Sequence, residues 1–146
     1  MKNVLKSIFL FIAIIALNSC SKEDDNLREI TPTLVGKWEF SKYVNYNAQN
    51  QEELTDYNHQ CTTIKDFIQF DANGIMSDSY SHSNCQAETG IYTYIIENDV
   101  VRFYNGNTLA PYFLKILSLT SSQVKVQWIR NTVARAGVDT YILTRK

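Results

Sequence analysis

From Leu34 to Arg145 the chain alternates apolar and polar residues in short runs separated by turn-forming residues, with no repeat at helical spacing. No other feature constrains the fold so strongly. Successive side chains of an extended strand point to opposite faces, so a period of two buries one face and wets the other. Gly36, Trp38 and Phe40 share one face of the first run, while Lys37, Glu39 and Ser41 share the other. A second run spans Cys61 to Phe70, with Ile64, Ile68 and Phe70 alternating against Lys65, Phe67 and Gln69. Ile75 to Ser83 is a third, placing Met76, Tyr80 and His82 together, and Thr89 to Glu97 a fourth, grouping Tyr92, Tyr94 and Ile96. Val100 to Tyr104, Tyr112 to Leu119, Gln123 to Arg130 and Val138 to Arg145 complete the set.

The breaks between runs have the chemistry of turns. Asp71-Ala72-Asn73-Gly74, Asn98-Asp99 and Asn105-Gly106-Asn107 supply Asn and Gly, which tolerate the positive φ of a tight hairpin. Asn45 to Gln60 and Asn131 to Gly137 read as loops, the first lying over an open barrel end. Eight short strands in succession, with no alternating helices, predict an all-β, eight-stranded antiparallel up-and-down barrel, whose closure removes exposed edges. The abundance of Tyr, Phe, Val, Ile and Thr favours the same answer.

The first residues are of another kind. Met1-Lys2-Asn3 and Lys6 precede an apolar run from Ile8 to Leu17, shorter than the ~20 residues that span a bilayer. A basic start and a short apolar run make a cleavable signal peptide. Leu17-Asn18-Ser19-Cys20 at its end resembles the lipobox of bacterial lipoproteins, which implies lipidation of Cys20 and removal of residues 1–19. Several acyl chains would anchor such a cysteine, each buried methylene contributing ~0.8 kcal/mol. Residues 20–33 then form a flexible tether, since Ser21-Lys22-Glu23-Asp24-Asp25-Asn26 has too little apolar surface to offset ordering entropy. A Lys followed by acids directly after the lipid cysteine is similar to the surface-export signal of Bacteroidetes lipoproteins. The expected location is the outer membrane, with the anchored domain either at the cell surface or on the periplasmic face.

Cleavage removes two of the 14 lysines and arginines, leaving 12 against 15 acids, so there is no basic footprint for nucleic acid. Two readings are open for Cys61 and Cys85. An even pair in an exported chain fits a disulfide; a metal pair completed by His59 or His82 lacks the close ligand spacing of a zinc site. No catalytic constellation stands out, no Gly-x-Ser-x-Gly elbow is present, and neither a cofactor nor a metal is expected. Asp66 is the one acid on an apolar face, read either as an exposed strand end or as the partner of an arginine inside the barrel.

Within residues 34–146, Gly36-Lys37-Trp38 resembles the Gly-x-Trp signature of lipocalins, and Tyr141-Ile142-Leu143-Thr144-Arg145 is similar to their closing strand. The segment with Cys61, Asp66, Phe70, Gly74 and Cys85 resembles the short lipocalin-like domains of Bacteroidetes lipoproteins. The resemblance implies that Gly36, Trp38 and Arg145 close one barrel end, the guanidinium stacking on the indole. It also implies a pocket for a small apolar or amphipathic ligand, with Phe40, Tyr80, Tyr92, Tyr94, Phe103, Trp128 and Tyr141 as its expected lining. The alternative is that these aromatics fill the barrel as plain core. The protein would then be a ligand-free subunit that docks on another envelope protein.

Overall fold

The computed structural model describes residues 33–106, 112–132 and 135–146, the residues 130–132 and 135–137 as backbone only. The expected signal peptide, Cys20 and most of the tether lie outside the described residues. Nine antiparallel strands form among those described: β1 (Gly36–Tyr46), β2 (Glu52–Asp56), β3 (Phe67–Phe70), β4 (Ile75–Ser81), β5 (Ala87–Glu97), β6 (Val100–Tyr104), β7 (Tyr112–Leu119), β8 (Gln123–Thr132) and β9 (Arg135–Arg145). From β3 onward each pairs with the next, β3 pairs with β1, and β9 pairs back on β1. Eight strands therefore close the antiparallel barrel that the alternation predicts. The closing ladder runs from Trp38 opposite Arg145 to Val44 opposite Thr140.

Three stretches depart from the sequence reading. The expected loop from Asn45 to Gln60 contains β2, which lies beside β1 on the same edge as β3: β3 pairs with Gly36 to Glu39, β2 with Lys42 to Tyr46. Every β2 side chain is exposed, so no apolar alternation marks it. Turn chemistry makes it instead. The Asn47 side-chain carbonyl accepts from the backbone N–H groups of Gln49 and Gln51, and Asn50 takes φ 59°. Ion pairs from Lys42 to Asp56 and from Lys125 to Glu52 flank the strand. The second correction is at Cys61 to Asp66, where the chain bends and only Phe67–Phe70 is strand. The third is the expected loop from Asn131 to Gly137, most of which continues β8 and β9, paired as far as Thr132 opposite Arg135.

Cys61 and Cys85 form a disulfide, 24 positions apart in sequence. Closing a loop of that length contributes about 3 kcal/mol in the chain-entropy model. It ties the bent segment before β3 to the β4–β5 turn.

One half of the barrel is packed solid. Trp38, Ile68, Phe70, Met76, Val101, Leu114, Val124 and Leu143 are all buried to within a percent or so. At the end of this half the Arg145 guanidinium lies 4.3 Å from the Trp38 ring centroid. Arg145 also donates to the carbonyls of Val35 (2.9 Å) and Thr33, and the Trp38 indole N–H donates to the Leu34 carbonyl (2.7 Å). A partly buried cation over an indole contributes ~1 kcal/mol. Gly36 makes room for it. Its φ is +137°, and a Cβ there would fall 2.8 Å from Arg145 Nη1. Gly36→Ala is accordingly expected to destabilise the fold by about 2 kcal/mol. A lower urea midpoint at unchanged slope is the expected readout. An unchanged midpoint would show that the arginine can give way.

Candidate functional site

The inward faces of the other half do not meet. They leave a cavity of about 480 Å³, within the roughly 300–1,000 Å³ usual for small-molecule sites. Strand alternation delivers most of its lining: Asp78 and Tyr80 from β4, Tyr92 from β5, Phe103 from β6, Trp128 from β8 and Tyr141 from β9. Tyr112 stands at the start of β7, 40% exposed.

Tyr43 arrives by a break in the alternation. The β1–β9 register shifts between Phe40 and Lys42, setting Lys42 opposite Ile142 and Tyr43 opposite Tyr141. A bulge of this kind inserts one residue and turns the following side chains to the other face. Strict continuation of Trp38 and Phe40 would have sent Lys42 inward.

Tyr57 comes from the bent segment, and Asp66 puts it there. Asp66 is 3% exposed. Its Oδ2 accepts from the Tyr57 hydroxyl (2.9 Å), and its Oδ1 accepts from both the backbone N–H and the hydroxyl of Ser81 (2.7 Å each). Its own N–H donates to His59 Nδ1 (3.0 Å). Asp66 is thus neither the exposed strand end nor an arginine's partner, the two readings the sequence left open. Three donors satisfy it, which is what a buried carboxylate requires. The Tyr57 ring then stacks on Phe40 (4.9 Å) and Tyr43 (5.0 Å). Burial, reinforced by Asp66, pushes the Tyr57 phenol well above the ordinary range, so it stays a neutral donor.

The rings form two groups. Tyr43, Tyr57 and Tyr141 pack around Phe40, with Tyr43 and Tyr141 5.1 Å apart. In the second, Phe103 meets Tyr92 (5.2 Å), Tyr112 (5.4 Å) and Trp128 (5.4 Å). Of the seven residues named from the sequence, Tyr80, Tyr92, Phe103, Trp128 and Tyr141 face the cavity. Phe40 and Tyr94 stand outside the lining. Phe40 is 3% exposed beneath the first group of rings, and Tyr94 packs edge-on against Phe70 and donates its hydroxyl to the Asp71 carbonyl (2.8 Å). His82 is exposed, 3.7 Å from Glu88.

Asp78 is the lining residue with a signal that went unread. It lies two residues from both Met76 and Tyr80, so the same parity turns it inward. Across the sheet it faces Gly90, whose backbone N–H donates to Oδ1 (3.0 Å). The Tyr92 hydroxyl donates to the same carboxylate. A Cβ at Gly90 would lie 2.5 Å from Asp78 Oδ1 and closer still to the Tyr92 oxygen. Glycine is the residue that lets acid and phenol share this space. Burial raises the Asp78 carboxyl above the usual carboxylate range, and the donors from Gly90 and Tyr92 only partly oppose it.

The sequence matches the lipocalin-like domain family over residues 34–126. Among solved structures, a lipocalin-like protein from Bacteroides uniformis superposes with a TM-score of 0.50 at 16% identity, covering 77% of this chain and 98% of that one. An uncharacterized protein from Bacteroides eggerthii gives 0.52 at 12% identity, covering 78% and 100%. At such identities these likenesses speak for the fold. A comparison with curated proteins finds no match.

The raised Asp78 carboxyl has a consequence for stability. The folded protein binds this proton more tightly than the unfolded chain, whose carboxyl titrates near 3.9. The stabilisation is therefore full below the unfolded value and is lost as pH rises through the folded one. Asp78→Asn, which keeps an acceptor for Gly90 and Tyr92, should be more stable than the wild type at neutral pH. That advantage should shrink as pH falls towards 4. Urea titrations of both proteins across that range test it, and a pH-independent difference would contradict it.

Proposed function

The chain belongs to the lipocalin-like domain family, and from that premise we propose that its barrel binds a small apolar or amphipathic molecule in the aromatic cavity. One observation carries this reading. The same inward alternation that fills the Trp38 half leaves the Tyr92 half open, although that half has the bulkier side chains. Ring faces offer an apolar body its contacts, while the Tyr and Asp78 oxygens offer polar ones, which is the composition of a small-molecule site. The barrel acts by binding rather than by catalysis, and it uses no cofactor.

In this reading the lipid on Cys20 anchors the protein in the outer membrane. The acidic tether supports a position at the cell surface, with the periplasmic face as the other possible side. Lipid at Cys20 would keep the domain within reach of amphiphiles that move between membrane and water.

Two experiments test these statements separately. Native mass spectrometry of residues 21–146, exported so that the disulfide forms, should show an extra mass that disappears on denaturation. A chain that remains bare, and takes up nothing when offered an envelope extract, would favour the ligand-free subunit that docks on another envelope protein. Cys20→Ala should abolish incorporation of labelled palmitate and remove the protein from the outer-membrane fraction. A variant that is still labelled would end the anchoring claim.

A further inference from the structure

Resting on the ligand-binding reading above, we infer that the cavity selects amphiphiles carrying a protonated amine or quaternary ammonium group, with Asp78 as the counter-ion. Of the nine described residues that line the cavity, Asp78 is the one whose side chain ordinarily carries charge at neutral pH; the others are tyrosines, a phenylalanine and a tryptophan. Its cross-strand partners are Ile68 and Gly90, neither of which carries charge. The ion pairs found among the described residues, such as Lys42 with Asp56, Arg102 with Glu97 and Lys115 with Asp99, all lie elsewhere. Asp78 is only 5% exposed and has no cation beside it among the described residues.

A buried carboxylate is costly unless it is paired. Asp66, which is outside the lining, shows how this barrel treats a purely structural one, surrounding it with donors from Tyr57 and Ser81. Asp78 is handled differently. It receives the Gly90 N–H and the Tyr92 hydroxyl, has further acceptor capacity, and borders the open volume. The missing side chain at Gly90 preserves that arrangement.

The surrounding rings act in the same direction. Aromatic faces carry negative electrostatic potential and attract a desolvated cation. Tyr92, Phe103, Trp128, Tyr43, Tyr57 and Tyr141 line the same cavity as the acid. An anionic headgroup would meet the Asp78 charge and the ring faces with no compensating cation among the described lining residues. A neutral headgroup could only accept or donate a hydrogen bond.

Three probes of one chain length separate these cases: n-octylammonium chloride, n-octanol and sodium octanoate. Each is titrated at neutral pH into residues 21–146 with the disulfide formed, following the emission of Trp128 at the cavity. Octylammonium should bind about ten-fold more tightly than octanol, as expected for one charge-assisted contact, and octanoate more weakly than either. Asp78→Asn should bring the octylammonium-to-octanol ratio to about one. The wild-type ratio decides first, so a poorly folded variant does not remove the test. Octanol binding as tightly as octylammonium would overturn this inference and leave the ligand-binding reading standing, as would a ten-fold preference that survives Asp78→Asn. No saturable response to any probe would overturn both.

Discussion

Closure of β9 onto β1 is the constraint from which the rest of the molecule follows. Until Trp38 lies opposite Arg145 and Val44 opposite Thr140, the sheet has two free edges and no inside. Once they pair, every strand's alternation acquires a meaning: one parity faces a shared interior and the other faces water. The ladder joins the two ends of the domain, so its loop-closure entropy is met only when the last strand is in place. Arg145 serves this closure twice, through its backbone and through a guanidinium that caps the Trp38 ring.

The interior so made is divided by side-chain choice. Around Trp38 the residues are mostly aliphatic, and water reaches almost none of them. Around Tyr92 and Trp128 they are large, flat and tipped with polar atoms, and flat rings meeting edge to face leave space between them. A barrel of eight strands can be either filled or hollow. This one is both, end to end.

What the sequence disclosed and what it hid divide along physical lines. Alternation is local, so strands such as β8 as far as Arg130 and the inward placement of Tyr80, Phe103 and Tyr141 could be read directly. The bulge after Phe40 left no trace in the pattern, because one extra residue in a strand looks like any other residue; Tyr43 was hidden with it. Glu52–Asp56 was missed because it buries nothing and is held by its ladder to β1. Tyr57 depends on Asp66, Ser81 and a disulfide, partners that are distant in sequence and meet only in the fold. Asp78 was legible by parity alone, and its pairing with Gly90 became visible only with the register.

The bent segment between β2 and β3 has one more property. Its ends are stitched into the barrel wall, where the Tyr57 N–H donates to the Ser41 carbonyl (2.9 Å) and the Phe40 N–H donates to the Asp66 carbonyl (3.2 Å). Between those stitches no strand ladder holds the chain, which hangs from Cys85 and from the Ser81 hydroxyl donating to the Ile64 carbonyl (3.2 Å). The segment is in effect a cassette clipped into a finished frame. Its length and side chains can be rewritten between the stitches without reopening the sheet. Since it carries Tyr57, a lineage could change what such a barrel holds by exchanging these few residues and keeping all eight staves.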